Sequence, residues 1–252
     1  MSDADEPIHE HLVELAALPA GGRAVDLGCG AGPTLAAFAR VDPKSTLVGL
    51  DRSEQALREA ARLLAGHDGE VVLALADLRE RLPLPQARAD AVVSYNVLEC
   101  VPEPERLVSE AARLLRPGGR AVFAHVDFDS VMLAGADQTL DRRICHAFAD
   151  DQQSWMDHVD GRIGRKLPGL VHTSDLVLDE VVPRVASSRE LTGLAARRVE
   201  SIRTTVAQAC RRGSTDLTES DVDQWYAALQ HAAATGRFFF AETTVTVAAH
   251  RP

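Results

Sequence analysis

The chain has 252 residues, 46% of them hydrophobic and 25% charged, a balance that suits one ordinary globular domain with room for an appended subdomain. With 27 basic against 37 acidic side chains the formal net charge is −10, which argues against a nucleic-acid backbone as partner. The 4 cysteines are scattered and form no C-x-x-C pair, the N-terminus is acidic, and no run reaches about 18 apolar residues; zinc knuckle, disulfide framework, secretory signal and membrane span are therefore read as excluded, and a cytoplasmic setting is expected.

In chain order, Ile8, Leu12, Leu15 and Leu18 recur at helical spacing and predict a short amphipathic helix stopped by Pro19. Arg23 to Leu27 is a short run between Gly21-Gly22 and Gly28, as expected of a strand buried on both faces, with Asp26 just before the glycines. Gly28, Gly30 and Gly32 then give G-x-G-x-G, a turn with no side chains in the way of a ligand, and Pro33 fits the first position of a helix. Pro33 stands where a dinucleotide-binding G-x-G-x-x-G needs its third glycine, which turns the reading from a pyrophosphate cradle towards a smaller nucleoside-bearing cofactor.

Thr46 to Asp51 is the second such run, and 19 positions separate Gly32 from Asp51, room for one helix and a return to the sheet. An acid at the tip of the second strand of a doubly wound sheet reaches a ribose diol. Ser53 is a plausible N-cap for a helix ending near Gly66, Val71 to Ala76 is the third strand, closed by Asp77, and Ala89 to Tyr95 is the fourth. A helix over about 103–115 leads through Arg116-Pro117-Gly118-Gly119 to a fifth strand, Arg120 to Val126. Alternation of this kind implies a parallel sheet with right-handed crossovers.

Beyond Asp127 the rhythm breaks, and irregular helical segments are expected to about residue 172. Asp175 to Ala186 reads as a strand, Ser187 with Glu190 as a capping box opening a helix to Gly213, and Thr218 with Asp221 as the start of another. Phe238 to His250 is a long final strand of alternating character, an antiparallel partner near the sheet edge. An exposed edge there would allow pairing across a two-fold, so a homodimer is one arrangement the sequence permits.

Four segments in order resemble one family, the class I S-adenosylmethionine-dependent methyltransferases: Val25 to Gly32, Val48 to Asp51, Ala76-Asp77 with Ala89 to Glu99, and Leu114 to Arg120. The likeness covers about half the chain and is nearest to the small-molecule branch similar to ubiquinone and menaquinone biosynthetic (type 11) methyltransferases. It implies an α/β fold: a doubly wound, Rossmann-like, mostly parallel seven-stranded sheet, with an antiparallel last strand and a helical lid inserted after strand five. One domain over 1–252 is expected, its core about 20–127 and 175–252, a lid about 128–174, and cap helices about 188–235. Where many relatives carry Leu-Glu-His after strand four, this chain has Leu98-Glu99-Cys100.

The resemblance implies S-adenosylmethionine as cofactor. Asp26 and the amides around Gly28, Gly30 and Gly32 would hold its methionine part, and Asp51 the ribose hydroxyls, with Arg52 at the adenine edge. Asp77 would take the adenine amino group, the Leu78 amide would face a ring nitrogen, and Asn96 would lie near the reactive methyl. A general base is needed only if the acceptor arrives protonated. Candidates are His125, Asp127 and Asp129, expected just after strand five, with Asp127 preferred, and His146 and His158 in the lid; no metal site is expected. Phe128, Met132, Phe148, Trp155 and Met156 either line an apolar acceptor pocket or pack the lid. The expected activity is methyl transfer to a small organic molecule of secondary or quinone-like metabolism, without nucleic-acid or membrane partners. The rival readings are a non-catalytic cofactor-binding protein, an RNA or protein methyltransferase, and an NAD oxidoreductase, against which Pro33 counts.

Overall fold

The computed structural model describes residues 6–252. Seven strands, β1 (Arg23–Leu27), β2 (Thr46–Asp51), β3 (Val71–Leu75), β4 (Ala89–Tyr95), β5 (Leu115–Ala134), β6 (Val177–Ser188) and β7 (Phe239–His250), form one sheet in the order β3-β2-β1-β4-β5-β7-β6. Strands β1 to β5 pair in parallel, with Val25 opposite both Val48 and Val92, Val48 opposite Val72, and Val92 opposite Ala121. Strand β7 runs antiparallel to them, giving the Rossmann-like sheet that the sequence leads one to expect. The order reverses at β1, where chain and sheet turn outward in both directions. In open sheets of this kind, ligands bind beyond the carboxyl ends of the strands flanking that switch point.

The helices are α1 (Glu6–Ala16), α2 (Pro33–Val41), α3 (Glu54–Leu63), α4 (Pro104–Leu114), α5 (Gln138–Asp150), α6 (Ile163–His172), α7 (Gly193–Arg212) and α8 (Glu219–Ala234). The chain divides into two compact units. The first runs to His125 and adds Arg165–Val182 and Val245–Pro252; it packs α1 and α2 on the strands through Leu12, Leu35, Phe38, Leu47 and Val93, all fully buried or nearly so. The second comprises Val126–Gly164 and Pro183–Thr244, with Ile144, Val199, Ile202, Trp225, Leu229 and Phe240 at its centre. There Trp225 satisfies its indole by donating to Asp141 Oδ1 at 2.8 Å, as a buried tryptophan requires.

Three expectations are corrected. The fifth strand runs from Leu115 to Ala134, so Asp127 and Asp129, like His125, lie within it rather than after it. Ser187 belongs to β6 and caps nothing: the hydroxyl of Ser188 accepts the Glu190 amide at 3.0 Å, and the helix starts later, at Gly193, with Thr192 as N-cap. The last strand lies next to the sheet edge as expected, but it is not itself the exposed edge, because β6 takes the outer position beside β7. Elsewhere the local signals hold. Ser53 accepts the Ala56 amide at 3.2 Å as N-cap of α3, and Thr218 with Asp221 forms a full capping box on α8.

Candidate cofactor and active site

The glycine turn is shaped by left-handed backbone at Gly28 (φ 78°), Gly30 (φ 50°) and Gly32 (φ 84°). The amides of Gly28 and Cys29 both donate to the Leu50 carbonyl of β2, at 2.8 and 3.0 Å, which ties the turn to the neighbouring strand. A Cβ on Gly28 would collide with the methyls of Val97, and one on Gly32 would come within 3.0 Å of the Ala60 Cβ. Gly30 instead faces open space, so its lack of a side chain leaves room for a ligand against the backbone. Gly32 is the N-cap of α2 and Pro33 its first residue, which aims the positive end of that helix at the turn.

Asp51, at the end of β2, accepts the Gly30 amide on Oδ2 at 2.9 Å and the Ser53 amide on Oδ1 at 2.8 Å. An ionised carboxylate has about four acceptor positions, so hydroxyl groups could still be received beside these two bonds. Asp26 is 2% exposed, and burial, reinforced by the charge of Asp51, pushes its carboxyl up to about 7. Burial and the same two aspartates push the Cys29 thiol well above its ordinary value, which makes it inert near neutral pH.

Asp77 follows β3 and is gripped by Arg79, whose Nη2 donates to Oδ2 at 2.6 Å, whose Nε donates to Oδ1 at 3.0 Å, and whose amide donates to Oδ1 at 2.9 Å. These bonds, with a lesser contribution from the charge of Arg52, hold the carboxyl down at about 2. Leu78 lies half-buried in the turn between them. Asn96, one residue past β4, adopts the left-handed conformation (φ 53°) and donates its amide to the Ala124 carbonyl at 3.0 Å. A single 3₁₀ turn, Leu98–Cys100, follows. The first unit thus gathers Asp26, the glycine turn, Asp51, Arg52, Asp77, Leu78 and Asn96 at the ends of β1 to β4.

The candidate bases are divided. His125 belongs to the first unit, has no solvent contact, and places Nε2 3.9 Å from Glu99 Oε2. Asp127 (3% exposed), Asp129 and His146 belong to the second unit, where Asp129 Oδ1 lies 3.6 Å from His146 Nε2. His158 is exposed. Of the five apolar candidates for an acceptor pocket, Phe148 and Met156 are buried, Phe128 half-buried, and Met132 and Trp155 exposed.

Two groups of residues escaped the sequence reading. His9, on the buried face of α1 with Leu12, Val13 and Ala16, bonds Thr34 Oγ1 at 2.9 Å and meets the Tyr95 ring edge-on, with centroids 5.4 Å apart. Its helical spacing from those apolar residues was the available signal. In the second unit Arg198 donates to the buried Glu242 through Nε at 2.5 Å and Nη2 at 3.3 Å, and its guanidinium lies 4.7 Å from the Phe128 ring centroid. The two charged residues are 44 positions apart, and no local pattern announces the pair.

A family model described as a methyltransferase domain matches residues 25–123, the span that carries every strand tip named above. The match to this domain, together with the relatives below, supports a class I S-adenosylmethionine-dependent methyltransferase of the type 11 kind. The chain is 32% identical over 230 residues to an uncharacterised 37.1 kDa protein in transposon Tn4556 of Streptomyces fradiae, covering 91% of this chain and 62% of that protein. It is 33% identical over 125 residues to a ubiquinone biosynthesis O-methyltransferase of Thiobacillus denitrificans, covering 47% of this chain and 53% of that one. Among solved structures, a putative methyltransferase from Bacillus halodurans superposes with a TM-score of 0.65 at 17% identity, covering 97% of this chain and 98% of that chain, a likeness of fold. The chain spans between about a third and just under two thirds of the length of the first curated relatives it matches.

The chain's own residues fit the family's cofactor, S-adenosylmethionine. The open backbone at Gly30, the spare acceptor positions of Asp51 and the buried carboxyl of Asp26 suit an amino acid and a ribose lying along one rim. Among the described residues no group of three His, Cys, Asp or Glu is placed to hold a metal ion, and no helix is long and apolar enough to cross a membrane.

Proposed function

We propose that this chain transfers a methyl group from S-adenosylmethionine to a small organic acceptor, in secondary metabolism or in a biosynthesis of quinone-like compounds, in the cytoplasm. The observation that carries the reading is the convergence of Asp26, the glycine turn, Asp51, Asp77 and Asn96 at consecutive strand ends of one unit. In this scheme Asp26 and the amides around Gly28, Gly30 and Gly32 hold the methionine portion. Asp51 accepts from the ribose hydroxyls, Arg52 lies along the adenine edge, Asp77 receives the adenine amino group, and the Leu78 amide faces a ring nitrogen. Asn96 lies beside the methyl-bearing end.

When bound, the cofactor supplies an electrophilic methyl on a sulfonium, so the protein's task is chiefly alignment and exclusion of water. An acceptor that arrives as a hydroxyl or ammonium must lose a proton as its new bond to carbon forms. Asp127 is assigned that proton, with His125 and His146 as the other groups able to hold it. The likeness to a ubiquinone biosynthesis O-methyltransferase and the acidic net charge support a small molecule over RNA or protein as acceptor.

Purified protein titrated with S-adenosylmethionine in a calorimeter, then incubated with panels of phenols, quinols, tRNA and peptides while S-adenosylhomocysteine is measured, tests the reading. Cofactor binding with product formed on a small-molecule panel is expected. Binding without turnover on any panel would favour a non-catalytic binder, and turnover on tRNA or peptide alone would overturn the acceptor assignment.

A further inference from the structure

The turn after β4 carries one member of a pair of buried ionisable groups, Glu99 and His125, neither of which is assigned a contact with the cofactor. His125 is wholly enclosed in β5, the Glu99 side chain is 10% exposed, and Nε2 and Oε2 are 3.9 Å apart, an ion-pair distance when the imidazole carries both protons. Taking a carboxylate and an imidazole out of water is costly, and such a pair is weak evidence of stability for its own sake. What it holds is therefore the question.

It holds the strand-tip turn against β5. At the start of the turn, Asn96 donates its amide to the Ala124 carbonyl, next to His125, at 3.0 Å. At its end, Glu99 faces His125 itself, and the Cys100 amide closes the turn onto the Val97 carbonyl at 3.0 Å. Between these two tethers lies Val97, whose methyls fill the space above Gly28. The turn thus links the buried pair, by way of Val97, to the first glycine of the ligand-facing turn, and Asn96 holds within it a left-handed conformation that asparagine takes more readily than other non-glycine residues.

We propose that Glu99 and His125 are positioning residues: their buried pair fixes the Asn96–Glu99 turn and, through Val97, sets the shape of the Gly28 turn for the adenosyl sulfonium. The proposal rests on the reading of this site as the S-adenosylmethionine site. It gives Glu99, whose Oε1 also receives the Cys100 thiol at 3.8 Å, and His125 a supporting role in the site, separate from the capacity of His125 to hold a proton. A cluster tuned this closely loses function when it loosens, since ligand geometry tolerates little slack.

The full chain is titrated calorimetrically with S-adenosylmethionine as wild type, Glu99→Gln, His125→Asn and the double variant. Each single substitution is expected to weaken binding about tenfold in a chain that keeps its near-ultraviolet circular dichroism, and the double variant to lose no more than the weaker single. In wild type the ring ¹⁵N resonances of His125 shift when the cofactor is added, and Glu99→Gln abolishes that response. Affinity of a folded Glu99→Gln within twofold of wild type, additive losses in the double variant, or an imidazole insensitive to the cofactor would each overturn the proposal. If Glu99→Gln does not fold, His125→Asn decides by the same affinity criterion. A wild-type chain that does not bind S-adenosylmethionine removes the parent reading instead.

Discussion

Asp26 sets the pH response of the site. Its carboxyl titrates near 7 in the folded chain because burial first, and Asp51 second, oppose its charge, whereas the ordinary value is 3.8. The folded state therefore takes up a proton more readily than the unfolded one, and an ionised Asp26 works against folding. That cost is absent below about pH 4, grows as pH rises, and is complete above about pH 7. Asp26→Asn should raise the melting temperature of the ligand-free protein at pH 8 and raise it much less at pH 5, as differential scanning fluorimetry would read. The same substitution should weaken S-adenosylmethionine binding at pH 8, because the proposed partner of Asp26 is the cationic methionine end. Wild-type affinity should fall between pH 8 and pH 6, and binding near pH 7 should release a proton, detectable as a buffer-dependent heat. A flat affinity across that range would remove Asp26 from the site.

The glycines separate strain from space. Gly30→Ala meets no neighbour, so its cost is the left-handed backbone alone, about 1 kcal/mol. Gly28→Ala adds a collision with Val97 to a similar backbone penalty, about 2–4 kcal/mol in all. Urea denaturation should rank them in that order, whereas cofactor affinity should suffer in both, since the Gly30 methyl would occupy the open space assigned to the ligand.

At the scale of elements, the two serine and threonine motifs of the C-terminal half make a controlled comparison. Thr218→Ala removes a capping box that the structure contains and should cost about 1 kcal/mol, whereas Ser187→Ala removes a hydroxyl from a strand and should leave the denaturation midpoint within about 0.5 kcal/mol of wild type. Their sequence spacings are the same, and only one of them meets a helix. The parallel strands β1 to β4 were legible because glycine, proline and aspartate punctuate short buried runs, a purely local signal. The second half of β5 was not: Val126, Asp127, Phe128 and Asp129 alternate apolar with acidic, a period of two, but Ser130 follows Asp129 directly and the charge reads as the end of a strand. Ser130 is in fact engaged inside the sheet, its Oγ accepting the Thr243 amide at 2.9 Å from a residue 113 positions away. Pairings at that distance carry no sequence pattern, and the same holds for Arg198 with Glu242. Asp51 shows the other limit, because its place at a strand tip could be read but not its grip on the Gly30 and Ser53 amides.

For the whole molecule, the division into two units with separate cores makes ligand response a matter of location. Every residue proposed to touch the cofactor lies in the unit that ends its first stretch at His125, whereas α7, α8 and their tryptophan-centred core lie in the other. A ligand that binds only the folded state stabilises it by about 2.7 kcal/mol at a hundredfold excess over Kd. For a chain of this size that corresponds to a rise of about 5–10 °C in the transition of the cooperative unit that holds the site. Hydrogen exchange should place the effect: saturating S-adenosylmethionine should slow exchange over residues 27–33, 50–54, 76–80 and 95–100, the glycine turn, the two acidic strand tips and the Asn96 turn. The amides of Val199, Ile202 and Leu229 belong to the core of the second unit, which holds none of the residues proposed to touch the cofactor, and they should exchange at the same rate with and without it. Protection centred on those helices, with the glycine turn unchanged, would move the cofactor to the other unit and dissolve the convergence on which the proposed chemistry depends.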